Sequence, residues 1–377
     1  MSRFSWVRLF AVVKKELVQI RRDRLTLAMM VGIPLLQLIL FGYAINSDPK
    51  QLPTVIVAHE QSPFSRSITQ ALTNSQYFRM VSTTAGDREA HDWLARGEVQ
   101  FAVTIPADFS RRLLRGERPQ LLVEADASDP AATGNAIAAL QQLSATMLRH
   151  DLSGPLAGLN GAPAPVDLVI HRRYNPEGVA QYNVVPGLMG VILTMTMIMS
   201  TALGLTRETE RGTMENLLAT PVRPVEVMVG KILPYILIGL MSMLLILIAA
   251  KWLFAVPFMG DIGLLLIAVL IFIAANLVVG ITISSVARNQ MQALQMTFFF
   301  FLPSMLLSGF MFPFRGMPQW AQAIGEVLPL THFMRISRGI MLKGNGLAQI
   351  WPELWPLLLF MALMMIVGLL RFRRTLD

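Results

Sequence analysis

The sequence contains no cysteine, and charged residues make up only 15% of its 377 residues. The absence of cysteine excludes disulfide bonds, thiolate metal sites and cysteine nucleophiles. Soluble globular chains carry about 25% charged residues. The low charge, together with 54% hydrophobic residues, therefore indicates that much of the chain faces lipid. The five histidines show no metal-ligand spacing, so no metal site is predicted.

The sequence also lacks the phosphate-binding loop Gly-x-x-x-x-Gly-Lys-[Ser/Thr] that cradles nucleotide phosphates in many ATPases. Its one Gly-Lys pair, Gly230-Lys231, is followed by Ile232 instead of a hydroxyl residue. The usual phosphate site of an ATPase is therefore missing from this chain.

The net charge of +8 is concentrated beside apolar segments. Residues 46–180 carry 12 basic and 14 acidic residues, whereas the rest of the chain carries 20 basic and 10 acidic ones. Lys and Arg are enriched next to membrane spans on the cytoplasmic side. The distribution favours a membrane protein and argues against a nucleic-acid partner.

Six apolar stretches are long enough to cross a hydrocarbon core of about 30 Å as helices. They comprise residues 25–45, 182–205, 229–253, 262–286, 293–312 and 351–370. With a cytoplasmic N-terminus, the inner segments carry 15 Lys and Arg residues and the short outer segments carry 5. The fold class predicted is an α-helical polytopic membrane protein with six transmembrane helices and both termini in the cytoplasm.

Residues 46–180 alternate between strand and helix patterns, which predicts an α/β extracytoplasmic domain inserted between the first and second spans. Predicted strands cover 54–58, 99–105, 120–124 and 166–171, and predicted helices cover 65–78, 109–114 and 131–152. Asp126 and Asp129 could hold a cation, but we favour a turn that caps the helix starting at Ala131. Before the first span, residues 1–24 contain an amphipathic helix that either lies in the headgroup plane or packs on a partner.

A charged segment, residues 207–221, follows the second span. Arg207 with Arg211 and Arg211 with Glu215 are four residues apart, so a helix would place them on one face. The residues alone leave two interpretations, a helix that docks on a motor domain or a solvated charged turn. The residues predicted to carry a docking role are Arg207, Glu208, Glu210, Arg211, Gly212, Thr213, Glu215, Leu218, Thr220 and Pro221.

Residues 306–346, which we call the return segment, are too polar for a full span and too apolar for a free loop. They predict two short helices at the external face that dip into the bilayer. The candidate residues of an external gate are Pro313, Trp320, Glu326, Pro329, His332, Arg335 and Arg338. The alternative is that the long basic side chains extend along the apolar surface to the headgroups.

Segments 207–221 and 306–338, together with Gly230-Lys231, resemble the type-2 ABC exporter permeases, in particular a bacterial subgroup with a large first external loop. The resemblance implies a transport subunit without catalytic residues, which pairs with a second permease copy or a paralogue and with two separate ATPase subunits. ATP and Mg²⁺ would be bound by those ATPases, and this chain would hold no cofactor itself.

The same resemblance makes residues 207–221 the coupling helix that is seated on the ATPase. It makes residues 313–345 the external re-entrant helices and residues 1–24 the interfacial connecting helix. Members of the subgroup often work beside a periplasmic adaptor protein and export drugs, lipids or other amphipathic molecules from the bacterial inner membrane.

Two other functions are compatible with the composition. One is a membrane-anchored sensor or scaffold whose external domain binds a partner. The other is an ion-coupled carrier, although the absence of Asp, Glu, Lys and Arg from the middle of the predicted spans weighs against it.

Overall fold

The computed structural model describes residues 49–83, 86–153, 157–158, 164–210 and 224–374. The predicted amphipathic helix at residues 1–24 and the predicted first span at residues 25–45 lie outside these ranges. Both remain predictions.

A five-stranded mixed sheet is the centre of the first folded unit, residues 49–173, which we call the sheet domain. Its strands are β1 (Leu52–Ala58), β2 (Phe78–Ser82), β3 (Phe101–Ile105), β4 (Gln120–Asp126) and β5 (Asp167–Arg173). The strand order is β2-β1-β3-β4-β5, and all neighbouring pairs are parallel except β3 and β4. The central strands β1 and β3 are almost continuously apolar, as expected for parallel strands that are covered on both faces.

Helices cover the two faces of this sheet unequally. They are α1 (Pro63–Asn74), α2 (Asp87–Arg96), α3 (Phe109–Leu114) and α4 (Pro130–Ser144). Ile56 belongs to the larger core, which α1, α3 and α4 complete, whereas Val55 and Val57 pack against α2. Successive side chains of a strand point to opposite faces, so α2 lies on the opposite side of the sheet from the other described helices of this domain.

The sequence interpretation of this domain was wrong at four elements. The helix predicted for residues 65–78 ends at Asn74, because Ser75 donates to the Leu72 carbonyl oxygen and Gln76 adopts a φ of +63°. Strand β2 follows in its place. The charged helix α2 was not predicted. The helix predicted for residues 131–152 ends at Ser144, whose hydroxyl donates to the Gln141 carbonyl oxygen and competes with helical bonding.

Long helices dominate the remainder of the described chain. They are α5 (Ala180–Glu210), α6 (Pro224–Trp252), α7 (Ile262–Val286), α8 (Gln290–Leu307), α9 (Gln319–Gly325), α10 (Pro329–Lys343) and α11 (Leu347–Arg374). Within the described residues, four segments are long and apolar enough to cross a membrane: Ala180–Glu210, Pro234–Trp252, Ile262–Val286 and Leu347–Gly368. The described part of the chain is therefore mostly helical, with four candidate spans and a small sheet domain.

The fifth predicted span, residues 293–312, differs from the helix that forms. Helix α8 ends at Leu307, and Gly309 adopts a φ of +84°, which is left-handed backbone that favours glycine. At 18 residues, α8 is about 27 Å long. It is not among the four candidate spans.

Helices α5 and α7 pack closely at the centre of the helical unit. A side chain in place of the hydrogen of Gly280 would come within 2.8 Å of Thr201 Cβ and 2.9 Å of the Ile198 carbonyl oxygen. Such distances require glycine, because small residues let helix backbones approach each other. In the most apolar stretches of α5 and α7, half or more of the residues are buried. The corresponding share is 17% for Pro234–Trp252 and for α11. Helices α6 and α11 thus form the periphery.

Candidate functional site

The return segment places its longer helix, α10, against α5, α7 and α11. Most of the side chains of α10 are buried. The helix ends at Lys343, and the next residue, Gly344, caps it with a φ of +71°. Contact with α5 is tight, because a side chain at Gly190 would approach Leu330 Cδ1 to 2.7 Å. A displacement of α5 would therefore be transmitted directly to α10.

Arg335 on α10 is the centre of an ion network with two carboxylates. Its Nη2 donates to Glu326 Oε1 at 2.6 Å, and its Nη1 donates to Glu353 Oε1 at 3.1 Å. Burial alone would lower the pKa of Arg335, but Glu353 and Glu326 outweigh that effect and raise the pKa above its ordinary value. Arg335 consequently remains charged and connects α10 to the start of α11.

His332, one turn before Arg335, joins the same network. Its Nε2 lies 2.8 Å from the Glu326 carbonyl oxygen and its Nδ1 lies 2.6 Å from Glu353 Oε2. A carbonyl oxygen only accepts, so Nε2 is assigned as a donor. The short Nδ1–carboxylate contact then requires one proton, carried either by His332 or by Glu353. Counting that proton, the four side chains together carry no net charge.

The end of the return segment holds the sheet domain against the helices. Lys343 Nζ lies 2.5 Å from Asp126 Oδ2, and both side chains are less than 10% exposed. Lys343 also donates to the Leu94 carbonyl oxygen, and Asn345 Nδ2 donates to the Ala95 carbonyl oxygen at 2.9 Å. These contacts fix the C-terminal end of α2 to the end of α10.

Asp126 and Asp129 occupy different environments. Asp126 pairs with Lys343. Asp129 takes the N-cap position of α4, as the sequence predicted, but its side chain makes no capping hydrogen bond there and instead accepts from Asn183 Nδ2 at 3.3 Å. Burial raises the pKa of Asp129, although Arg338 opposes that shift. No cluster of metal-ligating side chains occurs in the part of the chain that the structure describes.

The structure describes only three of the ten predicted docking residues. Arg207, Glu208 and Glu210 lie on the last turn of α5, whereas Arg211, Gly212, Thr213, Glu215, Leu218, Thr220 and Pro221 fall outside the described residues. Gln290, the first residue of α8, donates to Glu210 Oε2 at 2.6 Å and accepts from Arg207 Nε at 3.3 Å. The charged end of α5 is thereby bonded to the start of α8.

The predicted gate residues are only partly brought together. Glu326, His332 and Arg335 share the ion network, and Arg338 lines a cavity next to it. Pro313 and Pro329 are buried, but neither lines the cavity, and Trp320 is 42% exposed and belongs to neither feature.

Four residues that complete this site were not among the predicted gate residues: Glu353, Lys343, and Asp126 and Asp129, which the sequence had singled out only as a possible cation site or capping turn. Glu353 carried a usable signal, because it is an isolated carboxylate between two prolines at the start of an apolar stretch. The Lys343–Asp126 pair had none, since the two residues are 217 positions apart.

Comparison with known proteins shows the family to which the chain belongs. The model of the ABC-2 family transporter protein matches residues 24–370. The "Probable multidrug ABC transporter permease YbhS" of Escherichia coli is 30% identical over 99% of this chain and 98% of its own length. YbhR, with the same description, is 29% identical over 97% of this chain and 98% of its own. The "Inner membrane transport permease YhhJ" is 31% identical over 86% of each chain.

Proposed function

The chain belongs to the ABC-2 family of transporter proteins, and on that premise we propose that it is the permease subunit of an ATP-binding-cassette exporter. It moves an amphipathic or hydrophobic substrate, such as a drug or a lipid, out of the cytoplasm or the inner membrane. The energy comes from ATP that separate ATPase subunits bind with Mg²⁺ and hydrolyse. Relatives named as multidrug permeases support the substrate class.

The observation that carries the proposal is the continuity of α5. This helix of 31 residues is about 46 Å long and has an apolar span between its ends. One end packs on α10, where the Ser337 hydroxyl faces the Pro186 carbonyl oxygen. The other end carries Arg207, Glu208 and Glu210. A single continuous helix thus connects the proposed coupling segment to the proposed gate.

Coupling follows from this connection. Residues 207–221 dock on the ATPase, and closure of the ATPases around ATP displaces them together with α5. Because α10 packs tightly on α5, the return segment shifts between two packed arrangements and opens an exit. ATP drives this change only if it binds one arrangement more tightly than the other.

The remaining features of the proposal concern assembly. The chain crosses the bacterial inner membrane six times, both termini lie in the cytoplasm, and the sheet domain lies in the periplasm. Two copies, or one copy and a paralogue, pair in the membrane, and a periplasmic adaptor protein can join them. Exposed apolar side chains on α6 (Leu237, Met241, Leu244, Leu245 and Ile248) support contact with lipid or with a second copy.

An efflux measurement with the purified components tests the function. We expect a tagged copy of the chain to co-purify an ATPase subunit. Inside-out vesicles with both should accumulate a lipophilic fluorescent dye only when ATP is supplied. Transport that survives ATP depletion but stops when the ion gradient collapses would identify an ion-coupled carrier. Failure to recover any ATPase would favour a sensor or scaffold.

A further inference from the structure

A cavity of about 240 Å³ lies where the sheet domain meets the return segment. Its walls come from the β4–α4 connection, residues 308–315, α10 and the start of α11. Binding sites for drug-sized molecules are about 300–1,000 Å³. This cavity is smaller, so it suits a headgroup or a small ion better than a whole amphiphile.

The charges that line the cavity do not balance within it. Lys343 pairs with Asp126, and Arg335 pairs with Glu326 and Glu353. Arg96, the other cation at the rim, lies 3.4 Å from Glu98. The lining groups left over are the guanidinium groups of Arg315 and Arg338 and the carboxyl group of Asp129.

Arg315 and Arg338 have few partners of their own. Among the described residues, neither forms an ion pair within 4.0 Å. Arg315 Nη2 donates to the Gly97 carbonyl oxygen, and Arg338 Nη2 is 3.4 Å from the Gly309 carbonyl oxygen. The Nε of Arg338 is buried without any hydrogen-bond partner in that part of the chain. Unsatisfied buried donors of this kind are rare in folded proteins.

The electrostatic environment leaves this cavity positive. Burial is the largest effect on both side chains and lowers the pKa of Arg338 and of Arg315, although Asp129 and Asp126 oppose this shift at Arg338. Burial also favours the neutral form of Asp129 by raising its pKa. Two guanidinium groups against one carboxyl group, with the Nε of Arg338 unpartnered among the described residues, leave a surplus positive charge that an anion would balance.

We propose that this cavity binds a phosphate-like oxyanion, which the guanidinium groups of Arg338 and Arg315 hold. A guanidinium group donates two parallel hydrogen bonds to such an anion, so Arg suits it better than Lys does. The oxyanion is either the headgroup phosphate of an anionic lipid or free phosphate. This site goes beyond the transport function proposed above and does not depend on the direction of transport.

Calorimetric titration of the purified full chain, in an uncharged detergent and without an ATPase, tests the site. One titration uses inorganic phosphate and the other uses a short-chain phosphatidylglycerol. We expect Arg338→Gln to weaken binding about tenfold or more, because a hydrogen bond to a charged group is lost. We expect Asp129→Asn to strengthen binding severalfold, because it removes a negative charge from the same cavity.

Arg66→Gln is the matched control, since it removes one positive charge from the exposed face of α1. Opposite effects at Arg338 and Asp129, with no effect at Arg66, would support the proposal. A response to phosphatidylglycerol alone would identify a lipid headgroup, and a response to both would identify a general oxyanion site. Arg315→Gln repeats the test if Arg338→Gln does not fold. Absence of binding, or equal binding by all variants, would overturn the proposal.

Discussion

Replacing Glu208, Arg211 and Glu215 together with alanine is expected to reduce recruitment of the ATPase at least about 30-fold and to bring export to background. Charged groups that become buried at an interface each contribute about 2 kcal/mol or more when truncated. A loss of about 2 kcal/mol is about 30-fold in affinity, so one buried contact among the three side chains is enough for the expected effect. The measurements are co-purification of the ATPase and ATP-dependent dye accumulation in vesicles.

A control with the same charges is available in the sheet domain. Arg88, Glu89 and Asp92 on α2 comprise one basic and two acidic residues, and all three are exposed. Their replacement with alanine should leave ATPase recruitment unchanged. If the coupling variant retains assembly and flux while the thermal midpoint of both variants is unaltered, then residues 207–221 have no coupling role.

Breaking the ion pair between Lys343 and Asp126 is expected to have the largest effect on stability. Both side chains are less than 10% exposed, and Lys343 Nζ also lies 5.2 Å from the centre of the Tyr174 ring. Lys343→Met leaves the Asp126 carboxylate buried without its cation, which costs about 3–5 kcal/mol. We expect the variant to have a lower thermal midpoint. We also expect a protease to cleave it faster where the sheet domain contacts α10.

A double-mutant cycle separates the pair from general damage. In Lys343→Met combined with Asp126→Leu, both charges are gone, so the loss should be smaller than the sum of the single losses. Arg112→Met serves as the comparison, because the Arg112–Asp108 pair is on the surface and should contribute no more than about 1 kcal/mol. If the losses in the free energy of unfolding of the two single variants add up to that of the double variant, the ion pair does not hold the sheet domain to α10.

The elements that the sequence predicted are those set by local pattern. The apolar runs of α5, α7 and α11 were predicted because a span of about 20 apolar residues has few other stable environments. Strand β1 was predicted for a similar reason, since it is short, apolar and rich in β-branched residues. Helix α2 was missed because only four of its ten residues are apolar, namely Ala90, Trp93, Leu94 and Ala95.

The candidate site shows the same division. Glu326, His332 and Arg335 are close in sequence, so a helical interpretation of the return segment already brought them together. The pairing of Arg335 with Glu353 depends on how α10 packs on α11, and the cavity beside Arg338 depends on how the sheet domain docks. Contacts of that kind have no local pattern, and a single sequence does not contain them.

The placement of the coupling segment and the sheet domain on opposite sides of the membrane is the central claim. The chain contains no cysteine, so Glu215→Cys and Arg66→Cys each introduce one unique thiol. A membrane-impermeant thiol reagent applied to intact spheroplasts should label Arg66→Cys, and should label Glu215→Cys only after the membrane is permeabilised. Labelling of Glu215→Cys in intact spheroplasts would contradict the account, because the ATPases hydrolyse cytoplasmic ATP and could not reach that segment.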